Sequence, residues 1–196
     1  DARRSSSQGG GMFRSMDAYV LVIGLIAFGS MVSEGTMFDW SGVYFESVVK
    51  PGPGLVQMGY VAFMSTMALG RFTADRLVMR FGPVRVLRAS GILIASGLLV
   101  SVLFPMLWSA TLGFLLVGFG PSSIVPLCYS MAGKSRKMIP SMALASVSTI
   151  GFLGFLMGPP VIGHIAHASS LRWSFSLIAL IGLGTALIAP LLKKYR

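Results

Sequence analysis

The stretch PSMALASVSTIGFLGFLMGPPVIG runs from residue 140 to residue 163 without one charged side chain. A helix needs about 20 consecutive, mostly apolar residues to cross the hydrocarbon core of a bilayer. This stretch is long enough to do so. It therefore predicts a membrane-spanning helix, and the rest of the chain can be examined for others like it.

Composition extends this prediction to the whole chain. Of 196 residues, 54% are hydrophobic and only 11% are charged, and the mean hydropathy is +0.78. Soluble domains carry roughly a quarter charged residues. Apolar segments recur as far as the C-terminus, so one cleavable signal peptide cannot account for the deficit. The composition predicts an all-α integral membrane protein.

Five further apolar runs accompany the first, and backbone groups in lipid must find their partners within each segment. We therefore expect a bundle of six transmembrane helices rather than the alternating strands of a membrane barrel. The predicted spans are residues 17–43, 55–75, 84–104, 109–131, 140–163 and 172–192. The predicted linkers are residues 50–54, 76–88, 104–105, 134–140 and 164–171, which contain breakers or charges.

The basic residues orient these spans. Fourteen of the sixteen fall on one side, and only Lys50 and Arg172 fall on the other. Cytoplasmic loops are enriched in Lys and Arg. We therefore expect both termini in the cytoplasm of a bacterial cell, with the spans in its cytoplasmic membrane. The fourteen are Arg3, Arg4, Arg14, Arg71, Arg76, Arg80, Arg85, Arg88, Lys134, Arg136, Lys137, Lys193, Lys194 and Arg196.

The first residues have a different character. Residues 1–13 are basic and rich in Ser and Gly, which predicts a flexible cytoplasmic linker. The chain begins at Asp1 without an initiator methionine. That start indicates a piece of a longer protein, while a processed or trimmed N-terminus remains the alternative.

Several classes of function are disfavoured. The net charge of +10 could suggest nucleic-acid binding, but a nucleic-acid surface needs a basic stripe on a folded polar domain. An enzyme site or a metal site would need acids, histidines or nucleophiles gathered within the spans. The two histidines, His164 and His167, lie together near one loop. Cys128, the one cysteine, is expected to pack in an apolar run. We expect no catalytic residue, metal or cofactor.

An acid lies among arginines where the second span ends. The chain reads GRFTADR at residues 70–76 and RFGPVR at residues 80–85. Such a cluster favours charge-assisted contacts between helices, whereas a plain positive-inside loop would require only the arginines. We interpret the cluster as a cytoplasmic latch loop made of Gly70, Asp75, Arg76, Arg80, Gly82 and Arg85.

The fifth span carries small residues and prolines at regular spacing. Gly154 and Gly158 form a small-xxx-small face that lets two helices approach closely. Pro159 and Pro160 remove backbone donors and are expected to kink the helix, and Gly163 follows them. Helix packing alone would also explain the glycines.

The first span contains EGTMFDWSGVY at residues 34–44. An ionisable residue inside a span is costly and is a functional candidate by default. Glu34 lies about 25 Å from Asp17 along a straight helix, toward the outer half of the hydrocarbon layer. We interpret it as a proton or substrate site, with a packing role as the alternative. Asp39 and Trp40 are weaker candidates near the outer interface, and Gly35 and Gly42 suggest a helix that bends or unwinds.

The fourth span is mildly polar and interrupted by prolines. Ser122, Ser123 and Tyr129 are candidate substrate contacts. Pro121 and Pro126 predict a broken helix that serves as a hinge, and a Pro-kinked packing helix is the alternative.

These motifs together carry a family resemblance. The acid-and-arginine cluster resembles the cytoplasmic loop signature of the major facilitator superfamily. The Gly-Pro-Pro helix resembles the signature on helix 5 of the antiporter branches. With Glu34 and its neighbours, the chain from about Phe13 onward resembles the second half of the MosC/YbjJ-like branch.

The resemblance implies a fold that corresponds to helices 7–12 of this superfamily. It implies a secondary active transporter of a small molecule that works by alternating access, with proton coupling and with antiport or efflux favoured. Its partners would be the lipid bilayer, a small-molecule substrate, protons, and an N-terminal six-helix half from the same polypeptide or a second chain. The first and fourth spans, as helices 7 and 10, would line the cavity.

Another class of function remains as the alternative. The chain could be a self-associating six-helix membrane channel or a structural membrane protein. In a further alternative, the six-helix chain is complete and works as a homodimer whose two copies imitate the two halves. A channel should show a filter-like loop or a ring of pore charges, and neither is visible in the sequence.

Overall fold

The computed structural model describes residues 17–135 and 137–195. The predicted linker 1–13 lies outside the described residues, as do Arg14, Arg136 and Arg196. Within the described ranges the chain forms six long helices and no strand. They are α1 (Ala18–Tyr44), α2 (Met58–Phe81), α3 (Pro83–Leu103), α4 (Leu107–Ala132), α5 (Pro140–Ala168) and α6 (Leu171–Ile188).

Two irregular elements prolong these helices. A π-helical turn, Phe45–Val49, continues α1, and a 3-10 turn, Ala189–Leu191, leads from α6 into the one-turn helix α7 (Leu192–Tyr195). The helix does not unwind at Gly35 or Gly42, because α1 is continuous up to Tyr44. Its first departure from α-helical geometry comes after both glycines.

Five of the helices described are long and apolar enough to cross a membrane. The exception is α2, which has 24 residues, about 36 Å of helix, but carries Arg71, Asp75, Arg76 and Arg80. These four charges lower the mean hydropathy of α2, but the helix is still long enough to cross a bilayer. The prediction of an all-α membrane bundle is confirmed.

Two predicted linkers are wrong. The stretch 76–88 is almost entirely helical, because α2 continues to Phe81 and α3 begins at Pro83. Proline is favoured in the first turn of a helix, where its missing N–H costs nothing. The stretch 164–171 is also mostly helical, since α5 extends to Ala168. Charged or polar residues at a membrane surface are compatible with a helix, so their presence did not mark its end.

The fourth helix is continuous, so the prediction of a broken span is also wrong. α4 contains both Pro121 and Pro126 in its interior, although each proline leaves a carbonyl without its usual partner. Close packing on both sides accompanies this continuity. A Cβ added at Gly118 would collide with the carbonyl oxygen of Phe63, and one at Gly120 would lie 3.0 Å from the carbonyl oxygen of Ser90.

The helices do not pack in chain order. The broadest contacts join α1 with α5, α3 with α4, α2 with α4, and α3 with α6, whereas the consecutive helices α2 and α3 touch only sparsely. In each of these broad contacts, one of the first three helices packs against one of the last three, as in folds built from two inverted three-helix repeats. α1 and α4 are the most enclosed helices, and α2 and α5 have the smallest buried shares.

Polar contacts identify the two ends of the bundle. At one end, Lys137 pairs with Asp17 at 3.3 Å. At the other end, the Tyr44 hydroxyl donates to the carbonyl oxygen of Ser101 at 2.8 Å, and the Arg172 guanidinium donates twice to the carbonyl oxygen of Val102, at 3.1 and 2.7 Å. These bonds satisfy carbonyl groups in the last turn of α3 that lack helical partners.

Candidate functional site

An ion pair joins α1 and α2 in the interior of the bundle. Arg71 Nη2 lies 3.6 Å from Glu34 Oε1. The two partners differ in exposure, because the Glu34 side chain is 12% exposed and the Arg71 side chain is 61% exposed. The pair therefore has one member enclosed by the helices and one on the surface of the described bundle.

Both members of the pair lie well inside long helices. Because α1 and its π-helical turn form a continuous helix of 32 residues, Ala18–Val49, Glu34 lies near the midpoint of that helix. Arg71 lies about 15 Å before the end of α2 at Phe81. Arg71 belongs to a helix, within the predicted span 55–75, and it reaches an acid on another helix.

An aromatic cluster lies one turn beyond Glu34. The Phe38 ring contacts three others, with centroid distances of 5.9 Å to Phe63, 6.2 Å to Phe155 and 6.5 Å to Tyr60. Edge-on and tilted geometries of this kind stabilise aromatic pairs. The cluster joins α1, α2 and α5 and bounds the carboxylate on one side with apolar surface.

The glycines of α5 lie against the backbone of α1. A Cβ at Gly154 would be 2.6 Å from the carbonyl oxygen of Phe28, and one at Gly158 would be 3.0 Å from that of Val32. The approach is reciprocal, because a Cβ at Gly35 of α1 would be 2.9 Å from the carbonyl oxygen of Phe155. Backbone meets backbone along this seam, and Gly35 places Glu34 beside it.

Trp40 closes the outer part of the same seam. Its indole N–H donates to the carbonyl oxygen of Pro159 at 3.2 Å, and a Cβ at Gly163 would come 3.0 Å from its ring. Pro160 follows in the helix, and its carbonyl oxygen lies 3.0 Å from Nδ1 of His164. Asp39 is exposed. The structure thus places Trp40 in a packing contact.

The candidates of the fourth span lie elsewhere. Ser122 and Ser123 line a cavity between α2, α3 and α4, and their hydroxyl oxygens are 3.4 Å apart. Ser122 also donates to the carbonyl oxygen of Phe119 at 2.7 Å, while Tyr129 packs against the core. Glu34 is not among the residues that line this cavity. The described bundle therefore does not bring these serines together with the ion pair.

The predicted latch loop is not a loop. Gly70, Asp75, Arg76 and Arg80 are helical residues of α2, Gly82 is the single residue between helices, and Arg85 belongs to the first turn of α3. Gly70 lies against Ser122 and Phe119 of α4. Asp75 is exposed, and neither of the ion pairs within the described ranges includes it. Arg80 lies over the ring of Phe81, 5.4 Å from its centroid.

Sequence reasoning missed Arg71, the partner of Glu34. The signal that could have identified it is its distance from the Gly82-Pro83 break, which places it well inside a helix rather than at its end. Among the residues that the structure describes, no three histidine, cysteine or acidic side chains gather as metal ligands do.

Sequence comparisons place these features in a wider group. A family model described as Major Facilitator Superfamily matches residues 10–195. The chain is 37% identical over 177 residues to an uncharacterized MFS-type transporter of Yersinia pestis, with 90% of this chain and 46% of that protein covered. It is 31% identical to the membrane protein MosC of Rhizobium meliloti, with 90% and 44% covered. The chain spans about half the length of these curated relatives.

A solved structure supports the same fold. The crystal structure of the peptide transporter POT in complex with alafosfalin matches 90% of this chain and 38% of that one, with a TM-score of 0.77 and 17% sequence identity. The packing order of the helices, the glycine contacts between α1 and α5, and the family match all indicate the same fold. This integral membrane chain belongs to the major facilitator superfamily.

Proposed function

We propose that this chain forms one six-helix half of a secondary active transporter, which moves a small molecule across a bacterial cytoplasmic membrane by alternating access. The other half, six N-terminal helices of the same polypeptide or of a second chain, would complete the substrate cavity. Support comes from the family, from relatives described as transporters, and from the half-length match.

The exposure of Arg71 is the observation that carries this proposal. Its side chain is 61% exposed, yet it lies about 15 Å from the end of a helix that is long enough to span the bilayer. An arginine exposed to hydrocarbon at that depth would be strongly unfavourable. The surface around Arg71 must therefore be covered by further protein or line a water-filled cavity, and a two-half transporter provides both.

Glu34 is the proposed site of proton coupling. A proton on its carboxylate would neutralise the partner of Arg71, which would leave the arginine free to bind a negatively charged group of a substrate. Loss of the proton would restore the pair. Protonation and substrate binding would thus be coupled at one place, and the resemblance of α5 to antiporter helices favours antiport or efflux.

The charged end of the bundle is proposed to face the cytoplasm, together with both termini. Asp75, Arg76, Arg80 and Arg85 belong to that end, and the exposed carboxylate of Asp75 would pair with the other half in one conformation and release it in the other. Breaking that contact should shift the inward–outward population rather than abolish binding.

Proton flux tests the role of Glu34. The intact native protein is reconstituted in vesicles that contain a pH-sensitive dye, and fractions of a small-molecule extract of the source cells are added outside. We expect at least one fraction to drive proton movement in the wild type. Glu34→Gln should lose this movement, because its amide cannot release a proton.

Glu46→Gln is the matched control, since Glu46 is an exposed acid at the end of the same helix and should leave the flux unchanged. Equal flux and unchanged pH dependence in Glu34→Gln would sink the proton-site role. A variant that transports normally but unfolds at lower temperature would favour the packing role instead.

Labelling of an introduced cysteine tests the cavity itself. Ala68 is exposed and lies one turn from Arg71 on α2, so Ala68→Cys should react with a membrane-impermeant maleimide. Leu180→Cys, on the exposed apolar face of α6, is the control and should react little. The native Cys128 is fully buried and contributes little background. Equal protection of both positions would contradict a water-filled cavity at Arg71.

A further inference from the structure

The cavity lined by Ser122 and Ser123 is a crevice between α2 and α3, with α4 as its floor. Its volume is about 370 Å³, and its lining is mostly apolar. Phe119 on the floor remains 37% exposed and Phe81 on the wall 46% exposed, although both rings are apolar. The crevice is open along its length because α2 and α3 touch only sparsely. Other lining residues include Leu77, Ala89 and Leu93.

One end of the crevice is positively charged. Arg85 lines it there, in the first turn of α3. A second cavity of about 270 Å³ shares Phe81 and Arg85 with the crevice and adds Lys193. Within the part of the chain that the structure describes, no acidic side chain lines either cavity.

We propose that this crevice binds one anionic phospholipid of the surrounding bilayer. An acyl chain would lie between α2 and α3 against Phe119, and the headgroup phosphate would lie between Arg85 and Lys193. The site follows from packing and charge alone, and it does not depend on the transport proposal.

Geometry and charge both favour this occupant. A crevice in the hydrocarbon layer will be filled by lipid tails, because empty space forfeits the dispersion contacts of its walls. Arg85 and Lys193 favour a net negative headgroup over a zwitterionic one, since no acidic side chain among the described residues lines either cavity. Each Lys or Arg near a membrane surface raises the affinity for an anionic lipid about fivefold. A free phosphate ion would satisfy the cations but leave the apolar crevice unfilled.

Quenching by brominated lipids tests the site in the intact native protein. Every tryptophan of the intact protein, Trp40, Trp108 and Trp173 included, is replaced by Phe, and Phe119→Trp places a single reporter on the floor of the crevice. The protein is reconstituted in phosphatidylcholine vesicles with increasing fractions of phosphatidylglycerol, and either lipid is brominated in its acyl chains. Relative quenching gives the preference for the anionic lipid at the reporter.

We expect phosphatidylglycerol to be preferred about fivefold or more. Arg85→Gln should lower the preference about fivefold, whereas Arg88→Gln should not, because Arg88 lies on the same helix but lines neither cavity. Arg85→Lys, which keeps the charge, should retain most of it. Circular dichroism of each variant verifies folding.

Four results would overturn the proposal. Equal binding of both lipids would show that the charge has no role, and equal losses in Arg85→Gln and Arg88→Gln would show a general surface effect. Absence of quenching at Phe119→Trp by either lipid, while a reporter at the exposed α6 position, Leu180→Trp, is quenched, would show that protein rather than lipid fills the crevice. If inorganic phosphate removed the preference while quenching by the acyl chains persisted, the bound species would be the free ion.

Discussion

The α1–α5 seam and the α2–α3 crevice are two neighbouring regions with opposite character. α1 and α5 are far apart in the sequence, yet their backbones meet at Gly35, Gly154 and Gly158. α2 and α3 are separated by Gly82 alone, yet they leave an open space between them. Adjacency along the chain therefore does not decide which helices pack.

Small residues aligned with a partner's backbone account for the difference. Every broadly packed helix pair in the described ranges has a glycine of this kind, as at Gly97 against the carbonyl oxygen of Gly113, and at Gly91 against Gly182 and Ala186. No glycine of α2 or α3 approaches the other helix. Without a strong hydrophobic drive between helices in lipid, close backbone approach is what holds them together.

The largest expected effect comes from filling the seam. Gly154→Leu places a side chain where the carbonyl oxygen of Phe28 lies 2.6 Å from the first added atom. The helices must separate, which should cost about 3 kcal/mol or more. Thermal unfolding in detergent measures the loss. Gly184→Leu is the control, since nothing lies within 4 Å of a Cβ there, and equal stability of the two variants would contradict the packing account.

A second glycine should matter for a different reason. Gly82 has φ of 81° and ψ of 156°, a region that is essentially restricted to glycine, but a Cβ there would meet no neighbour within 4 Å. Gly82→Ala should therefore cost about 1–3 kcal/mol through backbone strain alone. Gly82→Asn should be no better than Ala. A melting temperature unchanged by both substitutions would show that the turn can adopt another conformation.

The C-terminal end of α3 extends the comparison, because its carbonyl groups accept hydrogen bonds from α1 and α6 rather than from α2. Arg172→Gln removes the double hydrogen bond to Val102 and should cost about 1–2 kcal/mol. Lys50→Gln removes the other basic residue assigned to that end and should have little effect. Comparable losses in the two variants would indicate a general charge effect rather than a specific bond.

The smallest effect is expected inside the crevice. Ala89 is exposed and lines it, so Ala89→Leu adds volume where space exists. Its stability in detergent should stay within about 0.5 kcal/mol of the wild type. A loss as large as that of Gly154→Leu would mean that the crevice is closed in solution.

The sequence was sufficient for the class of fold, because hydropathy and helix length are properties of each segment alone. It was insufficient for the relation between segments. Glu34 was identified by its rarity within an apolar run, but its partner Arg71, although inside the predicted span 55–75, was counted only as one of the basic residues on the cytoplasmic side. Arg71 and Arg80 carry the same charge, but Arg71 lies much farther than Arg80 from the end of α2.

The candidates of α4 show the same limit. The spacing of Ser122 and Ser123 places them on a helix, but the direction in which that helix presents them depends on its partners α2 and α3. Pro121 and Pro126 predicted a break, but α4 is continuous there and packs closely against α2 and α3 at Gly118 and Gly120. Such contacts are set by tertiary packing, which a single segment does not encode.

Because a single residue separates α2 from α3, the junction between them restricts how α2 can move. Consecutive Cα atoms are about 3.8 Å apart, so the ends at Phe81 and Pro83 can separate by no more than about 7 Å. Any motion of α2 against α3 must then pivot near Gly82 and cannot become a sliding motion. Arg71 lies about 15 Å from this pivot, so a swing of about 10° would carry it ~2–3 Å. Since its pair with Glu34 spans 3.6 Å, a small rotation at the pivot is enough to break it.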